Sequence, residues 1–190
     1  ASKIHDYRID IRDSVSLNNL VEKIQPDFVF HLAAQALVRS AYVSPADTWQ
    51  TNLLGSINVL ESLRLLKQNC IAVFITSDKC YDNLEWIWGY RETDALGGRD
   101  PYSASKGATE LAIRSYVSSF FSADSSVRIG IGRAGNVVGG GDWAEDRIVP
   151  DCMRAWSQGA TVPLRYPLAT RPWQHVLEPL SGYLSLAMAL

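Results

Sequence analysis

An excess of one charge is missing from this sequence: 18 Lys and Arg face 20 Asp and Glu, for a net charge of −2 and a pI near 5.9. No bulk field exists to draw nucleic acid or an anionic membrane, so neither is expected as a partner, and any phosphate recognition must rest on individual arginines. No apolar run of about 18 residues occurs, which excludes a membrane-spanning helix of ordinary kind. Ala1-Ser2-Lys3 begins no apolar stretch like that of a secretory leader. Cysteine is scarce: Cys70, Cys80 and Cys152 are odd in number and scattered, as in reduced thiols of a cytoplasmic protein. His5, His31 and His175 lie too far apart to suggest a metal site, and no metal is expected. Nor does any Gly-x-Gly-x-x-Gly or Gly-x-x-Gly-x-x-Gly follow a strand-like segment, and Gly139-Gly140-Gly141 opens no long helix.

What is present is the composition of a globular protein with a core, 47% hydrophobic and 20% charged with six Trp. Val15, Leu17, Leu20, Val21 and Ile24 recur at a helical period, so Ser14 to Ile24 is predicted as a helix that Pro26-Asp27 ends. Phe28 to Leu32, Ile71 to Thr76 and Val127 to Gly132 are short apolar runs of the buried-strand type. Ser44-Pro45 should start a helix running to about Lys67, with Ser44 as N-cap, and Asp100-Pro101 another through Phe121. Strands separated by helices imply an α/β fold with a doubly wound, Rossmann-type parallel sheet. Beyond Arg133 come a shorter helix near Arg147 to Gln158 and a proline-dotted stretch from Pro163 to Pro172. The expected division is a cofactor-binding unit at 1–138 and the start of a smaller substrate unit at 139–190. In such sheets ligands bind beyond the carboxyl ends of the strands. Those ends are Leu32-Ala33-Ala34, Thr76-Ser77-Asp78 and Arg133 to Asn136.

Tyr102-Ser103-Ala104-Ser105-Lys106 places a phenol and an ammonium on one face of a helix start. A nearby ammonium favours phenolate, and such a tyrosine can take a proton from a hydroxyl while a hydride leaves the same carbon. Small residues after a strand, such as Ala33-Ala34, let a cofactor approach the backbone or simply ease a tight bend. Arg147 and Arg171 are the candidates for phosphate, because a guanidinium offers a planar fork to phosphate oxygens.

Leu32 to Gln35, Thr51-Asn52, Ser77-Asp78-Lys79, Tyr102 to Lys106 and Arg133 to Asn136, in that order, resemble the extended short-chain dehydrogenase/reductase superfamily. Within it, Ser77 to Asn83, Glu85 to Tyr90, Gly139 to Trp143 and Arg171 to Val176 are similar to the CDP-glucose 4,6-dehydratases. The resemblance implies NAD as cofactor, held by Asp10 and Ile11 beside the adenine, by Leu32, Ala33, Ala34, Gln35, Asn52 and Thr76, and by Tyr102 and Lys106. It implies that CDP-glucose is oxidised at C4 with Tyr102 as base, loses water across C5 and C6, and regains the hydride at C6. Lys106 would depress the Tyr102 pKa, Ser77 would bind the C4 oxygen, Asp78 in a closed pocket would protonate the leaving C6 hydroxyl, and Lys79 would be the C5 base. Lys79 stands where dTDP-glucose dehydratases carry Glu, a departure from those enzymes and a match to the CDP-glucose branch. Asn136, Arg147 and Arg171 would hold the sugar-diphosphate. Trp143 and Trp173 either flank the pyrimidine or pack in the core, and Tyr81 either packs or lines the sugar site.

The resemblance also implies a homodimer through the helices around Ile57 and Glu110, and a cytoplasmic location is expected. With no glycine-rich phosphate turn, the chain reads as a piece of a longer protein whose first βαβ unit precedes Ala1 and whose substrate domain continues past Leu190. Taken alone it should bind NAD⁺ poorly. Rival readings are another nucleotide-sugar dehydratase, a C4 epimerase, which needs no elimination acid and base, or a silent NAD-binding regulator.

Overall fold

The computed structural model describes residues 4–122 and 124–190; Ala1, Ser2 and Lys3, read above for a leader, lie outside them. Three parallel strands, β1 (Phe28–His31), β2 (Cys70–Ile75) and β3 (Val127–Gly132), form a sheet in the order β1-β2-β3. Phe30 is in register with Val73, and Val73 with Gly130. Alternation along β2 sends Cys70, Ala72 and Phe74 to one face. There they join Val59, Leu60 and Leu63 of α4 (Gly55–Arg64) and Ile113 of α5 (Pro101–Phe120) in the main core. Phe74, Leu60, Leu63 and Ile113 are fully buried, each stabilising the fold by about 1.5–3 kcal/mol. On the other face of β3, Gly130 and Gly132 lie beneath Leu186, Leu190 and Tyr183, the last helix being α7 (Leu177–Ala189). A side chain at either glycine would collide with that helix, so the sheet is covered on both sides. Gly130-Ile131-Gly132-Arg133-Ala134-Gly135 has Gly-x-Gly-x-x-Gly spacing, but its first two glycines lie inside β3 and no helix opens after the third.

Helix α1 (Ser14–Ile24) forms where the apolar rhythm predicts. Asp13 accepts from the Ser16 N–H at 3.1 Å to cap it, and Gln25, left-handed at φ 47°, ends it. Asp100 caps α5 in the same way, accepting from the Ser103 N–H at 3.0 Å, with Pro101 in the first turn.

The helix expected from Ser44 to Lys67 is broken into parts. A short α2 (Val38–Val43) precedes it, then α3 (Pro45–Trp49), a π-helical turn at Gln50–Leu54, and α4. Ser44 makes no side-chain cap; its carbonyl accepts from the Thr48 hydroxyl instead. The π turn is a tertiary effect. It aims the buried Asn52 amide at two other segments, a pull that periodicity does not encode.

Beyond β3, a two-stranded parallel ladder joins β4 (Asn136–Val138) to β5 (Trp173–His175). Between them lies α6 (Ile148–Ser157), with Arg147 at its N-cap position. Neither β4 nor β5 was legible in the sequence, because three-residue strands carry no period. Among the described residues no helix is long and apolar enough to cross a membrane.

Candidate active site

At the carboxyl ends of β2 and β3 a cleft of about 1120 Å³ opens, lined among others by Thr76, Ser77, Asp78, Lys79, Tyr102, Asn136, Arg147 and Arg171. The fold thus gathers every expected substrate-side residue, drawn from four separate stretches of chain, into one space. Backbone bonds fix the floor: the Thr76 N–H donates to Gly132 O at 2.9 Å and the Asp78 N–H to Ala134 O at 3.0 Å.

Ser77 leaves the strand extended and caps a single 3₁₀ turn, Asp78–Cys80. Its hydroxyl donates to Asp78 Oδ1 at 2.9 Å and accepts from the Lys79 N–H at 3.3 Å. The Lys79 ammonium stands 3.9 Å from Asp78 Oδ1, with the two side chains 36% and 32% exposed. Asp78 is thus part of the cleft lining and partly open to solvent.

Tyr102, in the first turn of α5, is 8% exposed. Burial pushes its phenol up, while the neighbouring Ser77 side chain and the Arg147 charge pull it down. The net shift is upward, opposite to the depression expected from Lys106, because burial outweighs the groups that favour the phenolate. The Lys106 amine instead donates to Ile75 O at 3.2 Å, and burial lowers its pKa to about 8.

Sequence reasoning missed what fixes this helix. Tyr102, Lys106 and Glu110 form one stripe at i, i+4 and i+8, and Glu110 is fully buried. Its carboxylate accepts from Arg133 Nε at 2.7 Å, from Arg133 Nη2, and from the Thr76 hydroxyl at 2.7 Å. Burial pushes Glu110 up, but those hydrogen bonds and one from Cys80 win, holding it below the ordinary carboxylate value. Arg133 also donates to the Tyr81 hydroxyl at 2.7 Å and lies 4.6 Å from that ring's centroid. Tyr81 thus packs, stacked on Tyr90, and does not line the cleft. The i+8 spacing was the available clue. Two more groups went unread: Arg39 on α2 and Arg165 before β5 also line the cleft, as do Asp142 and Asp146. Nothing in sequence spacing points to them.

The cofactor-side residues form a second group. Leu32 is 52% exposed and Ala33 is open to solvent just past the end of β1. Asn52 is spent on structure: its Oδ1 accepts from the Gln35 N–H at 2.8 Å, and its Nδ2 donates to Gln35 O and to Ser105 Oγ at 2.9 Å. It rivets the loop after β1 to α5. Asp10 is held down to about 2 by the Arg12 side chain, which also pairs with Asp47. The carbonyl of Ile11 accepts from Asn58 Nδ2 at 2.9 Å. Leu32 to Gln35, Asn52, Asp10 and Ile11 are outside the cleft lining.

In the cleft, Asn136 Oδ1 is buried without a hydrogen-bond partner among the described residues. Such an orphan acceptor calls for a donor from water or from a ligand. Arg147 donates to Asp142 Oδ2 at 3.0 Å, and Arg171 to the carbonyl of Thr170 at 2.7 Å. Trp173 lines the cleft at 48% exposure, whereas Trp143, 63% exposed, does not. Neither is in the core.

Residues 1–179 match the family model described as GDP-mannose 4,6 dehydratase. The chain is 49% identical over 185 residues to a CDP-glucose 4,6-dehydratase of Salmonella typhimurium, covering 95% of this chain and 52% of that protein. It spans about half the length of that curated relative. Among solved structures it is similar to a Thermus thermophilus UDP-glucose 4-epimerase in complex with NAD, at TM-score 0.83 and 25% identity, over 97% of this chain and 60% of that one. A dTDP-glucose 4,6-dehydratase from Streptomyces venezuelae, with NAD and DAU bound, matches at TM-score 0.81 and 23% identity over 94% and 53% of the two chains, a likeness of fold.

Proposed function

Because the chain belongs to the GDP-mannose 4,6 dehydratase family of extended short-chain dehydrogenases/reductases, we propose that it is the catalytic part of an NAD-dependent CDP-glucose 4,6-dehydratase. The observation that carries this is the meeting of Ser77, Asp78, Lys79 and Tyr102 in one cleft with Asn136, Arg147 and Arg171. An epimerase would need the first and last of those four, but not an acid and a base side by side.

The exposed small residues past β1 fit a dinucleotide lying along the ends of the strands. Leu32, Ala33, Ala34 and Gln35 would hold NAD there, Asp10 and Ile11 would border its adenine, and Lys106 would donate to its ribose. Thr76 and Asn52 support that wall from behind through the bonds described above. When bound, NAD⁺ would accept a hydride from the sugar C4 and give it back to C6. Tyr102 takes the C4 hydroxyl proton, and Ser77 hydrogen-bonds the same oxygen. The resulting ketone acidifies C5–H, which Lys79 removes, while Asp78 gives a proton to the departing C6 hydroxyl. Asn136 meets a sugar hydroxyl with its orphan oxygen, and Arg147 and Arg171 hold the diphosphate. Once the hydride is back at C6, Lys79 returns its proton to C5, and the product is CDP-4-keto-6-deoxyglucose.

The division at residue 138, a cytoplasmic location and a homodimer through the outer faces of α4 and α5 complete the proposal. Glu110 itself points inward, so that interface falls to residues such as Leu111 and Arg114.

The test is to incubate the full-length protein with CDP-glucose and NAD⁺ and follow the sugar by NMR and mass. A 4-keto product lighter by one water supports the assignment; an epimerised hexose of unchanged mass would replace it. In D₂O, C5 exchange persisting at full rate in Lys79→Ala would remove the lysine from its role.

A further inference from the structure

One carboxylate in the cleft lining pairs with two arginines. Asp146 Oδ2 lies 3.1 Å from Arg39 Nε on α2, and its Oδ1 accepts from Arg165 Nη1 at 2.7 Å. The two arginines come from stretches far apart in the chain, one from α2 after β1 and the other from the proline-dotted stretch before β5. Asp146 itself sits in a left-handed conformation at φ 62°, unusual for a residue with a side chain. The side chains of Arg39, Arg165 and Asp146 are 68%, 54% and 32% exposed, so solvent screens the pairs and they stabilise the fold little. Their arrangement has a different use. A carboxylate shared by two guanidinium forks occupies the place that a pair of phosphate oxygens would take.

We propose that Arg39 and Arg165 are two further anchors for the substrate diphosphate, and that Asp146 holds them until the diphosphate displaces it. This rests on the proposed function, in which the cleft takes a nucleotide-diphosphate sugar. The exchange leaves no guanidinium bare in either state: both are paired to carboxylate before binding and to phosphate after it. Asp146 therefore competes with the ligand, weakening its grip and speeding product release.

Calorimetric titration of the full-length protein with CDP and with inorganic pyrophosphate tests this. Asp146→Asn should bind CDP about fivefold tighter or more, and Arg165→Ala about tenfold weaker. Combining the two substitutions should erase the gain. Glu145→Gln is the control, since Glu145 also lines the cleft but forms no ion pair among the described residues. It removes the same charge without touching either arginine and should change affinity less than about twofold. Asp146→Asn binding CDP no tighter than Glu145→Gln would overturn the latch. Failure of every form to bind either probe would do the same. If pyrophosphate shows the contrast but CDP does not bind, the latch stands and the nucleotide-sugar reading falls. Thermal melts of Arg165→Ala check that it folds, as its exposure leads one to expect.

Discussion

Lys106 is a cation taken out of water with one hydrogen bond to replace its hydration, and that burial lowers its pKa to about 8 from 10.5. Below pH 8 both folded and unfolded chains carry the charge, and the full desolvation cost is present. Between pH 8 and 10.5 the unfolded chain holds a proton that the folded one has shed, so stability rises with pH through that window. Lys106→Met should abolish turnover yet raise stability at pH 7 by up to about 3.4 kcal/mol, the worth of such a shift, less what the lost hydrogen bond contributed, and flatten the alkaline rise. Calorimetric melts from pH 7 to 11 would show it; a variant less stable than the parent at pH 7 would contradict the account. Tyr102, by contrast, is pushed up by burial, against which the Ser77 side chain and the Arg147 charge act.

At the scale of elements, what aligns the chemistry is the crossing of α5 over the ends of β2 and β3. Glu110 makes that crossing rigid, reaching Thr76 just before Ser77 and Arg133 just past β3. A buried ion pair is weak evidence of net stabilisation against an apolar pair, but breaking one leaves a charge stranded. Glu110→Ala strands Arg133, whose side chain is only 12% exposed, and should cost about 3–5 kcal/mol. Urea unfolding should show a lower midpoint with an unchanged slope. Glu110→Gln, which keeps an acceptor for Thr76, should lose less. At the start of the same helix, Gly98 has φ 142° and lies against the backbone of Ser103 and Ala104, where a side chain would force α5 and Tyr102 to move.

For the whole molecule, the cleft joins several stretches of chain that neighbour one another only in space. A ligand that bridges them stabilises the folded protein by mass action, about 2.7 kcal/mol at a hundredfold excess over Kd. Arg171 donates to no carboxylate among the described residues, so its guanidinium is a cleft arginine that a diphosphate can recruit without breaking an ion pair. Arg171→Ala should weaken CDP binding by about 1.5–3 kcal/mol, the range for a hydrogen bond to a charged group, while leaving the unliganded melting temperature unchanged. A thermal-shift titration with CDP that gave superposable curves for parent and variant would refute this.

The sequence alone determined the local events: α1, α5 and β3 where period and caps place them, the parallel α/β class, and the residues at the strand ends. Those follow from contacts within a few positions, where spacing maps directly onto a face or a cap. Only the tertiary structure decided the π turn that aims Asn52, the β4–β5 pairing, the burial that drives Lys106 and Tyr102 in opposite directions, and the Arg39–Asp146–Arg165 bridge. Each of these is set by groups distant in the chain, through desolvation and side-chain hydrogen bonds, and neither has a period to read.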